Sequence, residues 1–500
     1  MSNNNQSNYL FVLVAASAVG KSVLVNKLCE EGLWGKASKY STRDHRGSDD
    51  DVVKIDNYNI WGTGTSKQES EIRRSRVNKL IEICGGGNGI VYYKNNNIYG
   101  ISITEIVEGL KKSHLSVIIS DFKVIERLKK DDRLKGRIKV MYLASTIDER
   151  VLLKRYSERE RTAFINMKTI NQIQDMISLL LSASRLKHLA KIEEVLFSLR
   201  EELSVHVPYF DTIMERVNNI RLLYNRYIDN IVLIDYVILN FYDLEYMFEQ
   251  ARNILINMQP KRNISNPPIF MVCAAISSGK ASLMEIIGDM GVINENIVFT
   301  TKYAMRDVRP TDGRDGMIAI GKNGNFKDVI ERKLGLSIDE KDIWEWGFKQ
   351  RQVKYAVCHK EIEQNIENGK AQIFISNMNE IENARKFYPN NIVVLYLHAT
   401  HETATKKHIE TKRRFELEVE IKKRHSNYSI EEIKYEFENN RDIQEKFRKN
   451  TENDMQEIKD VHNDFCNYNI NIDHVLLNTG TRENLIEQIT NLINHYSKIK

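Results

Sequence analysis

The sequence predicts an α/β protein made of two similar domains, each with a parallel sheet flanked by helices. Continuous apolar runs, suited to strands buried on both faces, alternate along the chain with helical patterns. Four short motifs also occur twice, in the same order. A repeat of about half the chain length is too long for a solenoid, so it indicates a duplicated domain. The length of 500 residues fits two domains of roughly 250 residues each.

The repeated motifs contain the residue types that handle phosphate groups, namely glycine, lysine, arginine and tyrosine. Composition bias does not produce four matches in one order. The four pairs, with the first-half copy before the second-half copy, are Gly20-Lys21-Ser22 and Gly279-Lys280-Ala281; Lys39-Tyr40-x-x-Arg43-Asp44-x-Arg46 and Lys302-Tyr303-x-x-Arg306-Asp307-x-Arg309; Tyr99-Gly100-Ile101-Ser102-x-x-Glu105 and Tyr355-Ala356-Val357-Cys358-x-x-Glu361; Asp235-x-Val237-x-Leu239-Asn240 and Asp473-x-Val475-x-Leu477-Asn478.

Each half begins with a predicted strand that leads into a predicted helix. Residues 9–15 form an apolar run, and a helical pattern follows from Lys21 to about Glu31. The second half repeats this arrangement with a strand at 269–275 and a helix at 280–289. Further buried strands are predicted at Val117–Ser120, Val140–Ala144, Ile231–Leu239, Ile373–Ser376, Ile392–His398 and His474–Leu477.

The predicted domains are residues 1–258 and 259–500, because proline and polar residues cluster between residues 257 and 268. The first domain also contains a long helical stretch, at about 162–230, that has no counterpart of the same sequence in the second half. Its apolar residues recur at three- and four-residue spacing. Two interpretations of this helical insertion stay open, a cap on the domain core and a surface for self-association.

Composition and charge exclude several classes of function. The net charge of +5 is small for this length, and lysine and arginine alternate with acidic residues, so no nucleic-acid or membrane surface is predicted. The five cysteines lack metal-ligand spacing and indicate free thiols in a reducing compartment. The start of the chain has no secretory signal pattern, and the most apolar stretch, 230–242, is too short to span a bilayer. These features predict a cytoplasmic protein.

The first glycine–lysine motif predicts a phosphate-binding loop. Such a loop needs small residues whose backbone N–H groups approach phosphate oxygens, a lysine for the β- and γ-phosphates, and a Ser or Thr for Mg²⁺. The chain departs from the usual pattern at Ala15, where glycine is expected. The residues predicted to bind ATP are Ala18, Val19, Gly20, Lys21 and Ser22, and Ser22 is the predicted magnesium ligand.

The second loop keeps Gly279 and Lys280 but has Ala281 at the magnesium position. Because alanine has no hydroxyl, this loop lacks one of the groups that phosphoryl transfer uses. Two interpretations stay open. The loop binds nucleotide through Gly279 and Lys280, or it is a relic that only supports the fold.

The acceptor-side motifs resemble those of the guanylate kinases. The run YSTRDHRG at 40–47 resembles the TTRxxR segment of that family, and IYGIS at 98–102 resembles its YGTS segment. Arg155 and Arg159 resemble its paired lid arginines, and residues 235–245 resemble its closing strand and final helix. The resemblance covers most of the first half and extends more weakly over the second.

This resemblance implies two tandem guanylate kinase-like P-loop domains, of which the first transfers the γ-phosphoryl of ATP, with Mg²⁺, to a small phosphate-bearing acceptor. The implied acceptor is a nucleoside monophosphate similar to GMP, and arginine suits its phosphate because the planar guanidinium binds two oxygens at once. The implied catalytic residues are Lys21, Arg43, Arg155 and Arg159. The implied acceptor-binding residues are Arg43, Arg46, Tyr99 and Ser102 in the first half, and Arg306, Arg309 and Tyr355 in the second.

Departures from the family pattern keep two alternatives open. Guanylate kinases read the guanine ring with a glutamate, but the first half has Ile90 at that position, and the second half has Glu345 only if one residue is inserted. Asp121 is a substitute candidate for contacting base or ribose. The chain is also similar to the ribose 1,5-bisphosphate phosphokinases, whose acceptor is not a nucleobase. A catalytically inactive binding or scaffold protein is the alternative outside the enzymes.

Overall fold

The fold is known from a computed structural model, which describes residues 8–15, 19–41, 52–54, 75, 78–86, 89–94, 97–119, 121–145, 220–240, 244–258, 262–275, 278–289, 297–308, 313, 316–348, 353–399, 402–478 and 481–497. Residue contacts divide the chain into two compact units, Met1–Leu255 and Ile256–Lys500. Within the described residues, no helix is both long enough and apolar enough to cross a membrane.

The first unit begins with a wholly buried strand, as its apolar sequence requires. Its elements, in chain order, are β1 (Leu10–Val14), α1 (Lys21–Glu30), β2 (Gly35–Lys36), β3 (Lys39–Ser41), β4 (Val52–Lys54), β5 (Gly89–Lys94), β6 (Asn97–Ser102), α2 (Ile103–Gly109), β7 (Leu115–Ile118), α3 (Phe122–Lys130), β8 (Ile138–Ser145), β9 (Tyr236–Asn240) and α4 (Leu244–Asn257). Residues 78–83 and 220–229 are also helical.

Two sheets organise this unit. Five strands form a parallel sheet in the order β2-β7-β1-β8-β9, with β1 at its centre. Four strands form a mixed sheet in the order β4-β3-β6-β5. Gly100 on β6 lets the helical residues 78–83 approach this sheet, because a Cβ there would lie 2.0 Å from Leu80 and 2.5 Å from the sulfur of Cys84.

The second unit repeats the same kinds of element in chain order. They are β10 (Ile269–Ala274), α5 (Lys280–Asp289), β11 (Ile297–Phe299), β12 (Lys302–Ala304), β13 (Met317–Ala319), α6 (Phe326–Leu334), β14 (Ile343–Phe348), β15 (Val353–Cys358), α7 (His359–Glu367), β16 (Ala371–Ser376), α8 (Ile381–Phe387), β17 (Ile392–Ala399), α9 (Glu402–Arg424), α10 (Ile430–Asn439), α11 (Arg441–Tyr468), β18 (His474–Asn478) and α12 (Arg482–Ser497).

The two units have the same sheet topology. The parallel sheet of the second unit has the order β11-β16-β10-β17-β18, and its mixed sheet has the order β13-β12-β15-β14. If the strands of each sheet are counted along the chain, both parallel sheets read 2-3-1-4-5 and both mixed sheets read 2-1-4-3. The predicted α/β class, with parallel sheets flanked by helices, is therefore confirmed in each unit.

The repeated motif Asp-x-Val-x-Leu-Asn holds the last parallel strand in both units. The carboxylate of Asp235 accepts a hydrogen bond from the backbone N–H of Val140 at 2.8 Å, and Asp473 accepts one from Val394 at 2.8 Å. The leucine of each motif is also tied to a glutamine side chain eleven residues further on. Leu239 and Gln250, like Leu477 and Gln488, exchange two hydrogen bonds of 2.8 to 3.1 Å.

One predicted strand is shorter than its apolar run. The prediction at Ile231–Leu239 is wrong at its start, because Ile231–Leu233 form a 3₁₀ turn and β9 begins at Tyr236. Pairing begins later because the N–H of Asp235 donates to Val140, which fixes the register of β9 on β8. Of the apolar residues in the turn, Ile231 is buried, whereas Val232 and Leu233 are partly exposed.

The helical stretch predicted at about 162–230 lies outside the described residues except for its last part, 220–230. That part packs on β8, where the rings of Tyr227 and Tyr142 have centroids 4.3 Å apart. In the second unit α9, α10 and α11 have the same position along the chain, between the fourth and fifth strands of the parallel sheet. The ring of Phe465 on α11 packs on that of Tyr396 on β17, with centroids 4.5 Å apart. A helical segment at this place is therefore common to both units, although the sequences differ.

Candidate functional site

The first candidate site lies where β1 ends and α1 begins. Gly20 adopts a left-handed conformation, with φ of 89° and ψ of 10°, and stands at the N-cap of α1. Lys21 and Ser22 are the first two residues of that helix, and Ser22 is exposed. A helix N-terminus presents unpaired backbone N–H groups and a partial positive charge, so it favours a phosphate group.

The second loop has the same backbone arrangement. Gly279 has φ of 98° and α5 begins at Lys280. The ammonium of Lys280 turns back onto its own loop and donates to the carbonyl oxygens of Ala274 and Ala275, at 2.8 and 2.7 Å. Binding a phosphate through Lys280 would require these two hydrogen bonds to be exchanged.

Sequence reasoning missed two asparagines that hold the loops. Asn240, the last residue of β9, donates from Nδ2 to the carbonyl oxygen of Val19 at 2.8 Å. Asn478, the last residue of β18, donates in the same way to Ser278 at 2.8 Å. In both units the amide lies against the left-handed glycine, since a Cβ on Gly20 would come within 3.1 Å of Nδ2 of Asn240. The fourth repeated motif, which ends in these asparagines, was the available signal.

The acceptor-side tyrosines lie on the mixed sheets in matching surroundings. Tyr99 of β6 stands opposite Tyr92 of β5, and their rings stack with centroids 5.4 Å apart. Tyr355 of β15 stands opposite Trp346 of β14, with centroids 6.2 Å apart. An aromatic pair at the same register therefore covers the same face of both mixed sheets.

A carboxylate at the start of the next helix also recurs, but its partners differ. In the first unit the hydroxyl of Tyr40 donates to Glu105 at 2.6 Å. Burial and this hydrogen bond to a carboxylate raise the pKa of Tyr40 to about 12. In the second unit Glu361 accepts instead from Thr301 and from Lys333, the latter at 3.0 Å.

Several predicted site residues have structural contacts of their own. Ser102 is buried at the N-cap of α2 and accepts a hydrogen bond from the N–H of Glu105 at 3.4 Å. Arg306 is also buried, and its Nη1 donates to the carbonyl oxygen of Asp307 at 2.9 Å. Asp121, the candidate for contacting base or ribose, caps α3 by accepting from Lys123 at 3.0 Å.

The candidate guanine-reading glutamate of the second unit lies away from Tyr355. Glu345 stands opposite Ala356 on the paired strand, whereas Tyr355 stands opposite Trp346. Because side chains alternate along a strand, Glu345 and Tyr355 lie on opposite faces of the mixed sheet. Glu345 is exposed, and in the first unit the buried Ile90 occupies the predicted position.

The remaining predicted residues, Ala18, Arg43, Arg46, Arg155, Arg159 and Arg309, lie outside the described residues. Among the residues that are described, no group of three or more His, Cys, Asp or Glu side chains could hold a metal ion.

In the second unit two long helices pack against the loop. Ala275, which follows β10, forms an apolar cluster with Ile409 of α9 and Ile458 of α11. The helices are joined by a buried ion pair, in which Arg413 contacts Asp454 through Nε at 2.6 Å and through Nη2 at 2.7 Å. Arg424, in the last turn of α9, pairs with Glu420.

Comparison with known proteins adds little to this description. The chain is similar to the crystal structure of guanylate kinase from Anaplasma phagocytophilum, with 12% sequence identity and a TM-score of 0.27, over 47% of this chain and 89% of that chain. A TM-score this low supports neither a fold nor a function. No protein-family model matches the chain, and no curated protein matches its sequence.

Proposed function

We propose that the first unit is a phosphotransferase that moves the γ-phosphoryl group of ATP to a small phosphate-bearing acceptor, with a nucleoside monophosphate similar to GMP as the first choice. One observation carries the proposal. A left-handed glycine, a lysine and an exposed serine follow the central strand of a parallel sheet and open a helix. Ligands of open α/β sheets bind at this edge, outside the carboxyl ends of the strands.

The residues of the loop fit ATP and magnesium. Lys21 would contact the β- and γ-phosphates, and the hydroxyl of Ser22 would bind Mg²⁺. Mg²⁺ keeps several waters and takes few protein ligands besides the substrate phosphates, and Ser22 would be one of them. The metal would neutralise charge that develops on the transferring group. Asn240 ties the end of the loop to β9 by donating a hydrogen bond to the carbonyl oxygen of Val19.

The acceptor would bind between the loop and the mixed sheet. We assign its phosphate to Arg43, Arg46 and the hydroxyl of Tyr99, and the transition-state charge to Arg155 and Arg159, following the resemblance in sequence. Positioning of the two reactants and electrostatic stabilisation would then supply the catalysis, because phosphoryl transfer requires little covalent chemistry from the protein.

The second unit would be a copy of the first that does not transfer phosphate. Ala281 provides no hydroxyl for Mg²⁺. The identical strand orders support an origin by duplication, with two guanylate kinase-like domains as its product. Arg306, Arg309 and Tyr355 would then form a pocket for a ligand that is bound without turnover.

A sugar phosphokinase is the second candidate, and Ile90 favours it. This buried isoleucine stands opposite Ile101 and offers no carboxylate to a guanine ring. Selectivity for a base depends on hydrogen bonds to its edges, so an acceptor without a base, such as ribose 1,5-bisphosphate, suits this side chain.

Acceptor-dependent consumption of ATP by the full chain, in the presence of Mg²⁺, tests the proposal. GMP or another monophosphate is expected to stimulate turnover, and stimulation by ribose 1,5-bisphosphate alone would select the sugar phosphokinase. A folded chain that is stimulated by no acceptor would overturn the proposal and leave a binding protein.

A further inference from the structure

A buried lysine stands on the first strand of the mixed sheet in both units. Lys39 of β3 is 7% exposed and Lys302 of β12 is 5% exposed. Lysine is almost never this buried without a compensating partner, because removing an ammonium from water is costly. A buried ammonium at the same place in both units directs attention to what surrounds it.

The two lysines share a hydrogen bond to a backbone carbonyl and a contact with a tyrosine ring. Nζ of Lys39 donates to the carbonyl oxygen of Ile118 at 3.3 Å and lies 6.0 Å from the centroid of the Tyr99 ring. Nζ of Lys302 donates to Ile375 at 3.4 Å and lies 5.5 Å from the ring of Tyr355. Each ammonium thus links the mixed sheet to the parallel sheet, next to the tyrosine assigned to the acceptor.

These contacts put the charge at the edge of the sheet that carries the loop. Ile118 is the last residue of β7 and stands opposite Leu13 of β1, next to the end of that strand. In the second unit Ile375 stands opposite Val272 of β10. An ammonium near the carboxyl ends of parallel strands lies where an anionic ligand of such a sheet binds. In a site that excludes water, its attraction for an anion would be stronger than at an exposed surface.

We infer that Lys39 binds an anionic oxygen of the phosphoryl acceptor and selects for a phosphate monoester in its dianionic form. The inference rests on the proposed function and adds a residue to the acceptor site. The ammonium of Lys39 acts as a point charge above Tyr99, whereas the arginines assigned to the same phosphate would bind two oxygens each. A phosphodiester, with one negative charge, would gain less from this charge and would be a poorer acceptor.

Steady-state kinetics of Lys39→Met test the inference, with Lys39→Arg as the variant that retains the charge. We expect the acceptor KM of Lys39→Met to rise by about 10- to 100-fold, the range for loss of a hydrogen bond to a charged group. The KM for ATP should change by no more than about twofold, because Lys39 is assigned to the acceptor alone. Lys39→Arg should recover much of the loss.

The alternative is that Lys39 only ties the two sheets together. In that case Lys39→Met would lower the unfolding midpoint but leave the acceptor KM within about threefold of the wild type, which would overturn the inference.

Equilibrium titration with GMP and with ribose 1,5-bisphosphate separates this inference from the proposed function. If the wild-type chain shows no turnover but binds the ligand more tightly than Lys39→Met does, the transfer reaction is refuted and the inference is retained. Equal binding by the wild type and by Lys39→Met, or no binding by the wild type, would overturn the inference.

Discussion

Replacing Lys21 by methionine is expected to lower phosphoryl transfer from ATP by about 10²- to 10³-fold, the usual loss when one stabilising donor is removed from a transition state. The ammonium at the first position of α1 would contact phosphate oxygens whose charge changes during transfer. Methionine has similar length and helix propensity, so the helix should be retained. Initial rates with saturating ATP and acceptor measure the effect.

The matched control is Lys280→Met, which alters the corresponding residue of the second unit. We expect turnover within about twofold of the wild type, because Ala281 offers no hydroxyl ligand for the metal. Equal losses in both variants would show that both loops act in catalysis. Full activity in a folded Lys21→Met chain would refute the role given to the first loop.

Asp454→Ala is expected to destabilise the chain by about 3 kcal/mol, because it leaves the charge of Arg413 buried without its main partner. The side chains of Arg413 and Asp454 are only 15% and 4% exposed, and their two hydrogen bonds join α9 to α11. These helices pack on Ala275 at the second loop. Urea unfolding of the full chain, followed by circular dichroism, measures the change in the free energy of unfolding.

Glu452→Ala on the same helix is the control for this prediction. In its ion pair, the side chains of Arg448 and Glu452 are 66% and 60% exposed. We therefore expect the free energy of unfolding to change by no more than about 0.5 kcal/mol. In the double variant Arg413→Met/Asp454→Leu both charges are removed, and most of the lost stability should return. If Asp454→Ala were as stable as the Glu452→Ala control, the result would contradict a structural role for the buried ion pair.

Much of the fold could be predicted because its central strands are long apolar runs. The prediction of a strand at 9–15 with a helix from Lys21 is confirmed by β1 and α1, and the second half agrees through β10 and α5. The mixed sheets could not be predicted, since strands such as Val52–Lys54 are three residues long and have no periodicity of their own. Their pairing depends on partners far along the chain.

The candidate site was predicted where its residues adjoin one another in sequence, as in Gly20-Lys21-Ser22. It was missed where contacts join distant residues. The hydrogen bond from Asn240 to Val19 spans 221 positions, and that from Asn478 to Ser278 spans 200. Lys39 was part of a repeated motif but had no role, because only the folded chain brings its ammonium beside Ile118 and Tyr99. A local pattern cannot indicate such contacts.

The most direct test of the central claim, that the first unit transfers phosphate, is product analysis after incubating the wild-type chain with ATP, Mg²⁺ and single acceptors. The panel is GMP, dGMP, AMP, CMP, UMP and ribose 1,5-bisphosphate, with Lys21→Met as the blank. The account predicts ADP in equal amount to a newly phosphorylated acceptor, and neither product with Lys21→Met. ATP that stays intact with every acceptor, in a chain shown to be folded, would contradict it.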